Sequence, residues 1–432
     1  MPGRAYYICM GKGNTACGTV AMPSSGPGEL GLPGLRPAAL ELADALRAGE
    51  KVFVFSDYDP DGTCGAAALA LAFDQYAEQI TWGYASAEQG TGLSEEFVRQ
   101  AAADGASTLI TVDLGSSHPA QLQLASELGL RTIVTDHHSV HPDSEPDHHL
   151  NPALVSHEGS SGAVVAYKLA VALEEELYGS ARPSTVSEGA FLASFGARAD
   201  MMDMKLPDNL LLEQIGQPPP GLMAAAEALS LKSLAPSNQA KLSALLNLPK
   251  RTQLAAAADV AQILSAPDKA SAKQPLERLM AVKEACNQAS KDFVSQAAEQ
   301  ISAQPASRVA SAVISSQDAY LYCGYSGIAS MRMSGACQRP TVVFIPMDEQ
   351  GSCYKYSVRW MGKHEQLGEG VLESLPALRI VAEKSGFSPP GGHPQAMGGI
   401  CHEDDIEAVT GALEEWAKRR GLKSGKLPAY EA

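Results

Sequence analysis

The chain has 432 residues, of which 45% are hydrophobic and 19% charged, and a net charge of −16 at neutral pH. That length allows two or three domains with sizeable cores, and the acidic balance excludes a protein that coats nucleic acid by bulk charge. No apolar run approaches the roughly 20 residues that cross a bilayer, the first residues lack the layout of a secretion signal, and the eight cysteines form no CxxC pair, so a cytoplasmic chain with reduced thiols and no zinc ribbon is expected.

In chain order, Ala5 to Met10 reads as an edge strand and is followed by a Gly/Pro/Ser-rich loop. Pro37 to Ala48 has a helical pattern. From Lys51 to Pro152 apolar runs alternate with helical ones: strands at 51–56, 79–84, 107–113 and 131–135, and helices near 64–78, 94–104 and 118–128. Alternation of this kind predicts a parallel sheet with helices on both faces. Residues 208–270, rich in Ala and Leu, read as a helical part. Pro275 to Gln304 is a long amphipathic stretch placed to connect two domains. From Arg308 strands return, at 308–314, 340–345 and 355–360.

The chemistry lies at the ends of three of these strands. Val52 to Phe55 runs into Ser56-Asp57-Tyr58-Asp59-Pro60-Asp61-Gly62. Carboxylates packed this closely repel one another, and a divalent cation relieves the repulsion. Alone, the segment could equally be a solvated acidic turn. Two further apolar runs change the balance: Thr108 to Val112 ends in Asp113, and Arg131 to Thr135 ends in Asp136-His137-His138. In open α/β sheets reactive groups collect at such carboxyl ends. A second Asp-His-His, at 147–149, follows Pro-rich polar sequence and reads as rim. Asn151-Pro152 follows it, and then come the small residues Ser160-Ser161-Gly162. Further on are Gly196-Ala197-Arg198-Ala199-Asp200 and Gly391-Gly392-His393.

In this order the elements resemble the motifs of the DHH phosphoesterase superfamily, and more narrowly its RecJ-like exonuclease branch. The resemblance runs from about residue 36 to 400. It implies an α/β fold in which a parallel-sheet DHH domain with a helical subdomain (1–270, the helical part at 208–270) leads through a long connecting helix (271–304) to a smaller α/β DHH-associated substrate domain (305–432). It implies a metal set of Asp57, Asp59, Asp61, Asp113, His137 and Asp200, with Asp113 bridging two ions. Asp136 would orient a histidine, and His138 would be a ligand or touch the scissile phosphate; Asp113, Asp136, His137 and His138 form the catalytic set. Ser357, Arg359, Gly391, Gly392 and His393 would hold the substrate phosphate.

Carboxylates with imidazole suit two Mn2+ ions, with Mg2+ as the alternative. Two ions about 3.5–4 Å apart activate a hydroxide and stabilise the leaving oxygen of an in-line displacement. The expected activity is that of a metal-dependent exonuclease on single-stranded DNA, 5′→3′ by resemblance, with repair or replication proteins as partners and no membrane association. Residues 86–93 lack the arginine and the tyrosine that relatives use on a 5′ end, which leaves polarity open. Too few residues follow 415 for an OB-fold. Two alternatives remain: a phosphodiesterase for short oligonucleotides or cyclic dinucleotides, and a non-catalytic replication scaffold. The first tends to carry His where Asp57 stands and Asp where Thr63 stands; the second loses metal ligands.

Overall fold

Four largely apolar segments and one short histidine-bearing segment line up in one parallel sheet: β1 (Lys51–Ser56), β2 (Ile80–Tyr84), β3 (Ala106–Val112), β4 (Arg131–Thr135) and β5 (His148–Leu150), in the order β2-β1-β3-β4-β5. The structure is a computed structural model that describes residues 32–87, 92–155, 160–304, 306–360, 370–387, 390–393 and 395–424. The edge strand expected at Ala5–Met10 lies outside these residues.

The sheet is buried on both sides because its residues alternate. Val52, Val54, Ile110, Val112 and Ile133 pack on one face with α1 (Leu35–Arg47), α2 (Pro60–Phe73) and, from further along the chain, Val165, Leu169 and Leu173. Phe53, Phe55 and Leu109 pack on the other with Val98 and Ala101 of α3 (Glu95–Ala103) and Ala125 of α4 (Pro119–Glu127). Each such side chain, fully buried, contributes about 1.5–3 kcal/mol. The chain changes faces between β1 and β3, where a crevice opens beyond the carboxyl ends of the strands.

Helices complete this unit: α5 (Gly162–Tyr178), α6 (Pro183–Ala199), α7 (Pro207–Ile215), α8 (Pro220–Ala228), α9 (Pro236–Leu246), the first two residues of α10 (Leu248–Arg251), and α11 (Ala257–Leu264). Six helices, α2, α4, α6, α7, α8 and α9, start on a proline. The first turn needs no N–H at that position, and the ring presets φ.

The next helix, α12, runs from Lys269 to Ser302 and contains Pro275. It therefore begins six residues before the Pro275 at which the amphipathic pattern was read to start. Asp268 explains the early start, because its Oδ1 accepts from the Ser271 amide at 2.7 Å and the Ser271 hydroxyl at 2.8 Å. This cap ties down the turn before the proline. Compact packing divides the chain inside α12: residues up to Pro249 with Ala256–Met280 form one unit, and Lys250–Ala255 with Ala281 onward form the other.

The second unit has its own five-stranded sheet: β6 (Ala310–Val313), β7 (Thr341–Pro346), β8 (Cys353–Arg359), β9 (Gly391–His393) and β10 (Ala396–His402), in the order β6-β7-β8-β10-β9. Only β6 and β7 pair in parallel. Phe344, Tyr356, Val358 and Trp360 pack with Leu413 and Trp416 of α15 (Ile406–Arg419), which follows α13 (Ser326–Cys337) and α14 (Leu375–Lys384). No helix among the described residues is long and apolar enough to cross a membrane.

Candidate metal centre

The central strands β1, β3 and β4 each extend their ladder by one residue beyond the strand proper. Asp57 N donates to Val112 O (3.0 Å), Asp113 N to Thr135 O (2.8 Å) and Asp136 N to Leu150 O (3.1 Å). Three carboxylates are thereby set level at one end of the sheet. The chain then turns at once. Asp59 caps α2, its Oδ1 accepting from Asp61 N (2.9 Å) and Gly62 N (3.2 Å), so the helix begins at Pro60 and not near residue 64. Capping puts Asp61 on the first helical turn, where it reaches a different side of the crevice from Asp57.

Asp113 has φ 61°, a left-handed conformation uncommon for any residue but glycine. The twist aims its carboxylate into the crevice. The chain can adopt it because the neighbouring backbone carries no side chain: a Cβ on Gly162 would lie 2.4 Å from Asp113 Oδ1 and 2.7 Å from its Cα. Gly196 plays the same part for Asp61, since a Cβ there would come within 2.6 Å of Asp61 Oδ1. The Asp61 carboxylate also lies against the start of α5, accepting from Gly162 N (2.8 Å) and Ala163 N (3.2 Å). The sequence pattern marks Ser160–Gly162 only as a helix start. Glycine beside serine before an Ala/Val run was the available signal, but which carboxylate it would meet is a tertiary fact.

His137 sits among the acids. Its Nε2 is 3.3 Å from Asp113 Oδ1, 3.5 Å from Asp200 Oδ2 and 3.8 Å from Asp61 Oδ2. Asp200 follows the last residue of α6, one turn beyond Gly196. His138 turns the other way, its Nδ1 2.8 Å from Asp136 Oδ1 and 3.9 Å from Asp113 Oδ1. Asp136 is fully buried, and its carboxylate also accepts from the amides of Ser116, His137 and His138. Asn151 donates to the His138 carbonyl at 2.9 Å and to Ser116 Oγ at 2.8 Å, which pins the loop.

Charge follows this geometry. Burial pushes the Asp61 carboxyl up to about 6, with Asp59 and Asp200 adding to the rise against the pull of His137. Burial, then the charges of Asp61, Asp59 and Asp57, push Asp113 well above the carboxylate range. Burial opposes ionisation of Asp136, yet its bond to His138 and the amides outweigh burial and hold it low. The same bond lifts His138 to about 9.

A cluster of acids that raise one another's affinity for protons is also a cluster built for cations. Two buried atoms, Asp113 Oδ1 and His137 Nε2, make no hydrogen bond within the described protein. Ligand-type atoms of Asp57, Asp59 and Asp113 lie within 4.8 Å of one another, as do those of Asp61, His137 and Asp200, and those of Asp113, His137 and His138. The donor set fits hard-to-borderline divalent ions.

The second Asp-His-His does not join this cluster. Its segment forms the edge strand β5, where the sequence pattern predicts rim and shows no strand. Asp147 accepts from Thr132 N and Oγ1, His148 Nε2 lies 2.6 Å from Glu41 Oε2, and His149 Nε2 lies 2.9 Å from Ser116 Oγ. Tyr58 and Trp360 are only 3% and 4% exposed, so neither offers a face for stacking.

In the second unit, register brings the other candidates into rows. Ala396 pairs with both Arg359 and His393, and Gly398 with both Ser357 and Gly391; Gly392 pairs with Met397. Ser357 Oγ is 2.9 Å from Ser326 Oγ at the start of α13. A Cβ on Gly327, one residue on, would come within 2.8 Å of Arg359 Nη2. Burial lowers the pKa of the Arg359 guanidinium, and no carboxylate pairs with it among the described residues.

Comparison with known proteins agrees with this geometry. The DHH family, N-terminal domain, matches residues 51–192. The single-stranded-DNA-specific exonuclease RecJ of Bacillus subtilis is 25% identical over 419 residues, 93% of this chain and 50% of its own length. RecJ of Thermus thermophilus is 35% identical over 175 residues, 40% of this chain and 26% of its own. The chain thus spans half or less of these relatives. A crystal structure of exonuclease RecJ bound to manganese superposes with a TM-score of 0.72 at 26% identity, covering 90% of this chain and 96% of that one. RecJ from Thermus thermophilus in complex with Mn2+ gives 0.71 at 25% identity, covering 92% and 56%. Residues 51–192 thus match the N-terminal domain of the DHH family, and the chain is similar to RecJ in sequence and in fold over most of its length.

Proposed function

We propose that the chain is a metal-dependent nuclease that hydrolyses single-stranded DNA from an end. The observation that carries this reading is the pair of buried, unbonded atoms Asp113 Oδ1 and His137 Nε2 at the meeting point of three ligand clusters. Asp57, Asp59 and Asp113 would hold one ion, and Asp61, His137, Asp200 and the shared Asp113 a second. Bound divalent ions supply activation of a water nucleophile and neutralise charge on the phosphate and the leaving oxygen. Mn2+ is the ion proposed, because the donor set mixes imidazole with carboxylate and because similar RecJ structures hold manganese.

The protein's own groups do the positioning. Asp136 fixes the His138 ring through Nδ1, leaving the half-exposed Nε2 side to meet a phosphate oxygen. Ser357 and Arg359, with Gly391, Gly392 and His393 in the neighbouring strands, would hold a terminal phosphate of the strand. The domain roles follow: residues 1–270 for chemistry, 271–304 as connector and 305–432 for substrate. The described cysteines are unpaired thiols, as a reducing cytoplasm would keep them.

The test is digestion with Mn2+ of single-stranded DNA and RNA labelled at either end, from dinucleotide to about 50-mer, a span that exceeds known single-strand site sizes. Processive shortening of long DNA from one end is expected. Cleavage confined to the shortest oligomers would instead assign the small-phosphodiester activity, and no cleavage with any metal would refute the enzyme.

A further inference from the structure

The second Asp-His-His lies outside the metal cluster, yet one of its histidines reaches that cluster at one remove. His149 is on the edge strand β5, paired with Val134 of β4. Its ring meets Ser116, in the segment between β3 and α4, so the contact spans the strand that leads into Asp136. His149 Nε2 lies 2.9 Å from Ser116 Oγ, and both Ser116 and its neighbour Asn151 are buried.

The direction of that bond is fixed by the groups around it. Asn151 Oδ1 accepts from the Ala153 amide at 2.8 Å, which sets the orientation of the Asn151 side-chain amide. Its Nδ2 carries two hydrogens, one given to Ser116 Oγ at 2.8 Å and one to the His138 carbonyl at 2.9 Å. Ser116 Oγ is thus an acceptor toward Asn151, and its single hydrogen must go elsewhere. Among the described residues the other group within reach is His149 Nε2. A buried hydroxyl without an acceptor is costly, so Nε2 is bare and the ring carries its proton on Nδ1. Burial lowers the His149 pKa against the pull of Asp136, which keeps the ring neutral at pH 7.

The node at Ser116 holds the Asp136–His138 pair from two sides. The Ser116 amide donates to Asp136 Oδ2 at 2.9 Å, and Asn151 ties down the His138 carbonyl. Asp136 Oδ1 in turn lies 2.8 Å from His138 Nδ1. Without an acceptor at position 149 the Ser116 hydroxyl has to turn away, and both ties loosen.

We propose that His149 is a positioning residue of the metal centre: its bare Nε2 accepts from Ser116, and through Ser116 and Asn151 it holds Asp136 and His138 in register with the metal ligands. Its effect on turnover rests on the nuclease reading above; the hydrogen-bond chain itself does not.

The test compares His149→Leu, which removes the acceptor, with His149→Gln, whose side-chain carbonyl can replace it. In His149→Leu, Mn2+ binding in calorimetric titration should weaken about tenfold, the lower end of the range for groups that orient ligands. The metal-free His138 titration, followed by NMR, should move down from about 9. At saturating Mn2+, kcat should fall about tenfold while KM stays within about twofold. His149→Gln should bring each reading back to within about twofold of wild type. Long-range proton–nitrogen correlation on the metal-free wild type reads the tautomer without any variant, and a protonated Nδ1 with a bare Nε2 is expected. The opposite tautomer would overturn the proposal. So would a folded His149→Leu with unchanged Mn2+ affinity and an unchanged His138 midpoint, or a Gln variant as impaired as Leu. Weakened Mn2+ binding in His149→Leu, without hydrolysis by any of the proteins, would support the positioning role and overturn the nuclease reading.

Discussion

Replacing Gly162 by alanine tests whether the metal centre depends on close approach of α5 to Asp113. The added Cβ would meet Asp113 Oδ1 at 2.4 Å, its Cβ at 2.5 Å and its Cα at 2.7 Å, where ordinary contact begins near 3.4 Å. Something must move by about 1 Å. Neither neighbour is a flexible side-chain end: one is the start of a buried helix, the other a residue held by the β3–β4 ladder. Metal ligands tolerate errors of about 0.2 Å. The shift should therefore weaken Mn2+ binding on the order of 10–100-fold, the range seen when groups that orient ligands are lost. Overpacking costs about 1–3 kcal/mol of folding stability besides. For a unit of this size that is a fall of several degrees in melting temperature, at about 2–4 °C per kcal/mol. Calorimetric titration with Mn2+ measures the first effect, and melting curves with and without Mn2+ measure both, since bound metal stabilises by an amount set by its affinity. A folded Gly162→Ala protein that binds Mn2+ within twofold of wild type would refute the reasoning.

Three further outcomes follow from the same geometry. In metal-free protein the raised carboxyls hold protons that the unfolded chain releases above about pH 4, so their contribution to stability falls as pH rises. For Asp61, between 3.8 and about 6, the loss is on the order of 3 kcal/mol, complete above pH 6; urea unfolding at pH 5 and pH 7.5 should show this slope in wild type and a shallower one in Asp61→Asn, and equal slopes would count against it. Asp136→Asn should bring the metal-free His138 titration, followed by NMR, down from about 9 toward its ordinary 6.5, and should lower Mn2+ affinity about 10–100-fold. In metal-free form, the stability that His138 draws from Asp136 is present below about 6.5 and is lost as pH rises through 9. Asp113→Asn and Asp113→Ala should both abolish hydrolysis, but metal-free Asp113→Ala should melt lower, since Asn tolerates the left-handed backbone better than Ala; the reverse order would refute the strain argument.

Much of the site is legible in the chain because each key residue follows a local pattern. An apolar run that ends in Asp57, Asp113 or Asp136 marks the end of a buried strand, and a parallel sheet brings such ends together whatever lies between them. Proline starts fix several helices in the same local way. The sequence also separates the Asp-His-His of the candidate site from the second one, since only the first ends an apolar run. Local pattern could not reveal that His148 and His149 sit in an edge strand. That strand is three residues long and is held by pairing with β4 rather than by any preference of its own.

Tertiary structure alone decided the rest, because distance through space has no period along the chain. It set Asp59 as a helix cap and Asp61 as the acceptor of the α5 amides. It showed why Gly162 and Gly196 must lack side chains: two consecutive helices press on carboxylates, Asp113 and Asp61, that lie far earlier in the chain. It brought Asp200 within 3.5 Å of a histidine 63 residues earlier in the chain. The sequence by itself determined which residues could bind a metal; the packing of α5 and α6 against the strand ends determined that they meet, since only there do buried acids gain a neighbour able to share their charge.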